Sequence, residues 1–247
     1  MAQAVVVDGV TKTFKLANHK TMKKLVVNAA KRRPLSRSFT ALEDVSFTLD
    51  QGESIGLMGL NGSGKSTLLK LISGVMSPDF GQVLTRGRIA GLIEVGAGFH
   101  PDLTGRENIY LNGAILGMSE TEIDNKFDLI LGFSEMEKFL DSEVRHYSSG
   151  QFMRLAFAVA VHTDCDIFLI DEVLAVGDQP FRKKCMKRIL ELKAEGRTMV
   201  FVSHNAKQVL RICERGLVLD AGRVVFEGSA ADAVKTIKYD ITDEDED

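Results

Sequence analysis

Gly59-Leu60-Asn61-Gly62-Ser63-Gly64-Lys65-Ser66 is the stretch from which the rest of this chain is read. It follows Ser54-Ile55-Gly56-Leu57-Met58, an apolar run that reads as a strand, and it opens a helix over 65–73 that Gly74 and Pro78 stop. The spacing is G-x-x-x-x-G-K-[ST]. Glycines let backbone amides turn inward around phosphate oxygens, Lys65 brings positive charge to the β- and γ-phosphates, and the Ser66 hydroxyl is a ligand for Mg²⁺. The helix behind the loop points its positive end at the same place. Gly59, Leu60, Asn61, Gly62, Ser63, Gly64, Lys65, Ser66 and Thr67 are therefore nucleotide-binding candidates. A glycine-rich turn arising by chance would lack the strand before it and the helix after it. The motif by itself does not separate ATPases from kinases and GTPases, which share it.

Working outward, strands are expected at 4–8, 10–16, 43–50, 166–171 and 198–202, and helices at 180–195 and 205–214. Residues 217–219 and 223–226 flank Asp220-Ala221-Gly222 as a hairpin. Strands alternating with helices predict an α/β fold with a largely parallel sheet. Residues 104–162 read as mostly helical and form a lobe inserted into that core, and Ser119-Glu120-Thr121-Glu122 predicts a capping box within it.

Ile167-Phe168-Leu169-Ile170-Asp171-Glu172 is an apolar strand ending in two carboxylates. Asp171 is placed to hold Mg²⁺ and Glu172 to polarise an attacking water as general base. His146-Tyr147-Ser148-Ser149-Gly150-Gln151 opens a helix with small residues, whose hydroxyl and amide donors suit a γ-phosphate, although an ordinary capped helix reads the same way. Val200-Phe201-Val202-Ser203-His204 is a strand ending in histidine.

In this order the motifs resemble those of ATP-binding-cassette (ABC) proteins, over about Val5 to Gly228. Tyr147-Ser148-Ser149-Gly150-Gln151 resembles the L-S-G-G-Q signature, with Ser149 in place of a glycine. The resemblance implies a P-loop ATPase core with an N-terminal antiparallel β subdomain and an inserted helical subdomain at 98–163. It implies that Ser148, Gly150 and Gln151 serve ATP held by the opposite subunit of a head-to-tail homodimer, and that His204 reaches the γ-phosphate beside Glu172. Asp178 falls at the family's D-loop aspartate. Phe14 falls where the family has an aromatic under the adenine, a position a core phenylalanine would also fill. Glu94 lies nearest the glutamine that usually follows the next strand, where a carboxylate can meet Mg²⁺ or water.

The phrasing of 94–108 and 171–181 resembles the subfamily that exports lipid-linked polysaccharides such as O-antigen and teichoic acid. That implies ATP and Mg²⁺ as cofactors, a separate transmembrane permease as partner, and a peripheral position at the cytoplasmic face of the cell membrane. The nearest other readings are an importer or drug exporter. A soluble ABC ATPase acting on nucleic acid would normally show a coiled coil or a second cassette, and no nucleic acid is expected here.

Between Val10 and Leu42 lie nine Lys and Arg residues and no acid. Met22, Leu25, Val26, Ala29 and Ala30 recur at helical spacing, with Asn18 to cap the start and Pro34 to end it. A basic amphipathic helix inserted at 17–39 suits an anionic membrane surface or an acidic substrate, or it packs on its own domain.

The 247 residues, 45% hydrophobic and 26% charged, are expected to form a single domain over 1–239, ending in an acidic disordered tail at 240–247. No glycan-binding domain is expected after Tyr239. A net charge of −3 argues against polyanion binding by bulk charge. Cys165, Cys185 and Cys213 are widely spaced and odd in number, as reduced structural thiols are. There is no signal peptide and no apolar window near the length needed to span a bilayer, so any permease is another chain.

Overall fold

In a computed structural model, the structure describes residues 2–17, 36–91, 96, 98–171, 177–203 and 205–237. Glu94, Glu172, His204, the basic segment 18–33 and the acidic tail lie outside the described residues.

The central sheet has six strands in the order β5(Ile89–Gly91), β6(Ile167–Ile170), β7(Thr198–Val202), β3(Ser54–Met58), β8(Arg215–Asp220), β9(Arg223–Ser229). All neighbouring strands are parallel except β8 and β9, the expected hairpin. The inner strands carry almost unbroken apolar runs because both faces are covered. Successive residues of β6 and β7 point to opposite faces. Phe168, Ile170, Met199 and Phe201 enter one core, and Ile167, Leu169, Val200 and Val202 the other. Burying a side chain of this kind contributes about 1.5–3 kcal/mol, so the sheet centre is the most costly place to perturb.

One face is covered by α1(Lys65–Ile72) and by a three-stranded antiparallel sheet in the order β2(Ser36–Asp50), β1(Gln3–Ala17), β4(Phe80–Thr85). The other is covered by α4(Ser149–His162), α5(Gln179–Ala194), α6(Ala206–Ile212) and α7(Ala230–Ile237), of which α7 has no counterpart in the sequence reading. The helical lobe adds α2(Gly105–Ile115) and α3(Glu120–Ser134). Helix α4 is apolar nearly all round because it serves two cores at once. Phe157 and Val161 face the sheet, while Leu155 and Val159 pack with Ile109, Ile123 and Ile130 in the lobe.

Three expectations need correction. The stretches 4–8 and 10–16 are one strand, whose register shifts between Val7 and Val10, where Gly9 takes φ 58°. The inserted helix cannot extend over all of 17–39, because Ala17 pairs with Ser36, Lys15 with Ser38 and Phe14 with Phe39. The backbone pairing takes both ends of the stretch, which lie outside the spacing from Met22 to Ala30. Finally, Ser119 caps α3 by accepting from the Glu122 amide, but the box is not closed. The Glu122 carboxylate instead binds Arg88, at 3.0 Å.

Candidate functional site

The phosphate loop leaves the C-terminal end of β3, the strand held between β7 and β8. Its path demands glycine at two places. Gly59 has φ 145°, and a Cβ there would lie 2.2 Å from the Leu219 carbonyl oxygen. Gly64 has φ 110°, and a Cβ would lie 2.6 Å from the Ala41 carbonyl oxygen. Neither position accepts a side chain. Loop bonds tie the turn to its surroundings: the Ser63 amide donates to the Leu60 carbonyl at 3.1 Å and the Gly222 amide to the Ser63 carbonyl at 3.0 Å.

Lys65 is buried, and its Nζ donates to the carbonyls of Gly59 at 2.7 Å and Leu60 at 3.0 Å. The ammonium is thereby held in the middle of the loop. The Ser63 hydroxyl is buried and has no hydrogen-bond partner among the described residues. A buried hydroxyl left so is costly, and a loop built around one fits a polar ligand. Helix α1 likewise begins at Gly64 with no side-chain cap, and its N-terminal end points into the loop.

A cleft of about 490 Å³ opens here. It is lined by Phe39 and Ala41 of β2, by Asn61, Gly62, Gly64, Lys65, Ser66 and Thr67, by Asp171 after β6, and by Val202 of β7. That volume suits a nucleotide-sized ligand. The sheet order brings Asp171 to the loop, because β7 alone separates β6 from β3. Ser66 and Asp171 thus offer a hydroxyl and a carboxylate in one cleft, the hard oxygen donors that Mg²⁺ takes alongside substrate phosphates. No cluster of three or more His, Cys, Asp or Glu side chains fit to hold a metal occurs among the described residues.

Phe14 and Phe39 lie opposite each other on β1 and β2, but only Phe39 lines the cleft, 49% exposed. Sequence reading passed over Phe39 because it sits in the stretch read as helix.

Ser148 caps α4 in a full capping box: its Oγ accepts from the Gln151 amide at 3.2 Å, and Gln151 Oε1 accepts from the Ser148 amide at 2.8 Å. Ser148 and Ser149 are exposed, Gly150 and Gln151 half-buried, and none of the four lines the cleft. Asp178, at the start of α5, binds Arg154 of α4, and that hydrogen bond holds its carboxyl below the usual carboxylate range. The three cysteines are buried and unpaired, and burial pushes the Cys165 and Cys185 thiols up to about 12.

A family model described as "ABC transporter" matches residues 42–175. The chain is 45% identical over 235 residues to the O-antigen export system ATP-binding protein RfbB of Klebsiella pneumoniae, covering 94% of this chain and 96% of the relative. It is 43% identical over 204 residues to the teichoic acids export ATP-binding protein TagH of Listeria monocytogenes, covering 83% of this chain but 60% of that relative. Among solved structures it is similar to a dimeric post-hydrolysis state of the ATP-binding cassette MJ0796 bound to ADP and Pi. The identity there is 26% and the TM-score 0.72, over 92% of this chain and 98% of the other.

Proposed function

This chain belongs to the ABC transporter family, and we propose that it is the ATP-hydrolysing subunit of an exporter of lipid-linked polysaccharide. The observation that carries the ATPase reading is the single cleft in which the glycine loop, Lys65, Ser66 and Asp171 converge. The export reading rests on the similarity to subunits of O-antigen and teichoic acid export systems.

In this reading the loop amides and Lys65 hold the β- and γ-phosphates, and Phe39 or Phe14 supports the base. Ser66 and Asp171 hold Mg²⁺, which when bound withdraws charge from the phosphate oxygens. Glu172 takes the proton of the attacking water, and His204 reaches the γ-phosphate and orients that water. Ser148, Gly150 and Gln151 reach the nucleotide of a second copy, so two ATPs are enclosed between two chains. Closing on ATP and reopening after hydrolysis drives a separate permease. No described helix is long and apolar enough to cross a membrane, so the spanning path comes from that partner. The chain works at the cytoplasmic face of the membrane, with the basic segment 18–33 close to the permease and lipid headgroups.

Glu172→Gln tests the reading. The variant is expected to bind ATP as tightly as wild type and to lose turnover by about a hundredfold or more. Turnover near the wild-type rate would sink the assignment. Transport with residues 18–33 deleted is expected to fall while nucleotide binding holds.

A further inference from the structure

Three stretches far apart in sequence meet at the Ala41 carbonyl: the phosphate loop, β2, and the turn 220–223 between β8 and β9. A Cβ on Gly64 would lie 2.6 Å from that oxygen, and a Cβ on Gly222, whose φ is +82°, would lie 2.7 Å from it. The oxygen is wedged between loop and turn, and neither glycine accepts a side chain without parting them. Hydrogen bonds join the same three stretches. The Gly222 amide donates to the Ser63 carbonyl at 3.0 Å, and the Gly222 carbonyl accepts from the Glu43 amide at 2.8 Å. One residue of the turn therefore holds the phosphate loop with its amide and β2 with its carbonyl. The next residue adds a side-chain grip. Arg223 donates through Nε to Glu43 Oε2 at 3.2 Å and through Nη2 to Glu43 Oε1 at 2.5 Å, a two-pronged fork.

Strand β2 is irregular where it is gripped. Thr13 pairs with Thr40 but Lys12 pairs with Leu42, so β2 carries an extra residue at Ala41. The register shifts again between Lys12–Leu42 and Val10–Val45, and Asp44 there takes φ 52°. Glu43 thus stands between two bulges, where the ladder to β1 is interrupted and its amide turns to Gly222. Past the first bulge β2 runs on to Phe39, which with Ala41 lines the cleft. Arg223 and Glu43 are 63% and 48% exposed and do not line the cleft themselves. A pair so open to solvent adds little stability. Its effect falls on where β2 stands relative to the loop, because no ladder bond to β1 holds that point.

We infer that Arg223 and Glu43 are positioning residues for the nucleotide: with Gly222 they set the span between the cleft wall that carries Phe39 and the loop that receives the phosphates. A ligand that touches both ends, a nucleoside triphosphate, depends on that span. Neither residue touches the ligand, and both act through the wall. This rests on the ATPase reading above, with Phe39 on the base side.

The test is Mg-ATP binding by the full chain, followed by titration calorimetry. Arg223→Gln and Glu43→Gln are each expected to weaken binding about fivefold, a part of what one base–aromatic stack supplies. Tm should stay within about 2 °C of wild type, as for an exposed pair. The double variant should bind no more weakly than either single one, since each breaks the same grip. In a Phe39→Ala background Arg223→Gln should cost less than about twofold, which a general loosening of the fold would not produce. If Arg223→Gln does not fold, Glu43→Gln carries the same test. Affinity within about twofold of wild type for the single variants, or a loss undiminished in the Phe39→Ala background, would overturn the inference. Lys65→Ala in the same titration separates the two claims. If it abolishes binding while Arg223→Gln binds like wild type, only the positioning role fails. If wild type does not bind ATP, or Lys65→Ala binds it equally well, the ATPase reading fails and this inference with it.

Discussion

Two helices of this molecule begin at amide-rich N-termini, and they are finished in opposite ways. Helix α1 starts from Gly64 with no side-chain cap, inside a cleft, beside a lysine bonded to carbonyls of its own loop. Helix α4 starts from Ser148 with a closed capping box, on the surface. The first start has no side-chain cap and fits a bound anion. The second is complete, and offers its hydroxyl and small-residue face outward without needing a ligand to stay folded. The difference teaches why one motif reads as a binding site in a single copy, while the other, in the function proposed above, takes its role from a second copy.

The sharpest break in this comparison comes from Gly64→Ala. The added Cβ would meet the Ala41 carbonyl and force a side chain to φ 110°. A cost on the order of 3 kcal/mol is expected. Thermal melting should show it as a fall of roughly 6–12 °C, and nucleotide titration should show lost binding. A stable variant that still binds ATP would refute the built cradle.

Next in size is the choice between the two aromatics. Phe39→Ala is expected to weaken ATP binding about tenfold, the scale of one base–aromatic stack. Phe14→Ala should change it by less than about twofold, because Phe14 is outside the cleft lining. The reverse order in isothermal titration would return the base platform to Phe14.

Ser148→Ala probes the capped start. Loss of the cap should cost about 1 kcal/mol, or roughly 2–4 °C in Tm. Binding at the chain's own phosphate loop should hold while turnover falls. Full turnover would reduce Ser148 to a structural cap.

The smallest effect lies at the far end of α4. His162 is mostly buried, donates through Nδ1 to the Ala158 carbonyl at 2.7 Å, and packs edge-on to Phe133. Burial holds its pKa below the ordinary 6.5. The unfolded chain therefore takes up a proton at this site at higher pH than the folded one does. Stability from this group is full above about pH 6.5 and declines as pH falls toward the lowered folded value. Chemical denaturation from pH 7.5 to 5 should show a shallower decline for His162→Gln than for wild type.

Much of the site was legible because its chemistry is local. A strand, a glycine turn and a helix start lie within one short window, and the helix and strand periods around them are read directly. The Ser119 cap was half legible: the serine's bond is local, but Glu122 was drawn off by Arg88 from outside the helix. Phe39 was missed because the bounds 17–39 given to the basic insertion ran into a strand whose partner is β1. Arg154 was not singled out, since nothing in its neighbours announces Glu135 or Asp178.

The amino-acid order alone determined the phosphate loop, the buried strand leading to Asp171, the capped start at Ser148, and the alternation that makes an α/β sheet. Those depend on hydrogen bonds and burial patterns spanning a few residues. Only the tertiary structure decided that Asp171 and Ser66 line one cleft, that Phe39 and not Phe14 lines it with them, and that Arg154 links α3 to α5. These meetings follow from strand order and from helices packed on opposite faces of one sheet, which no short window of sequence contains.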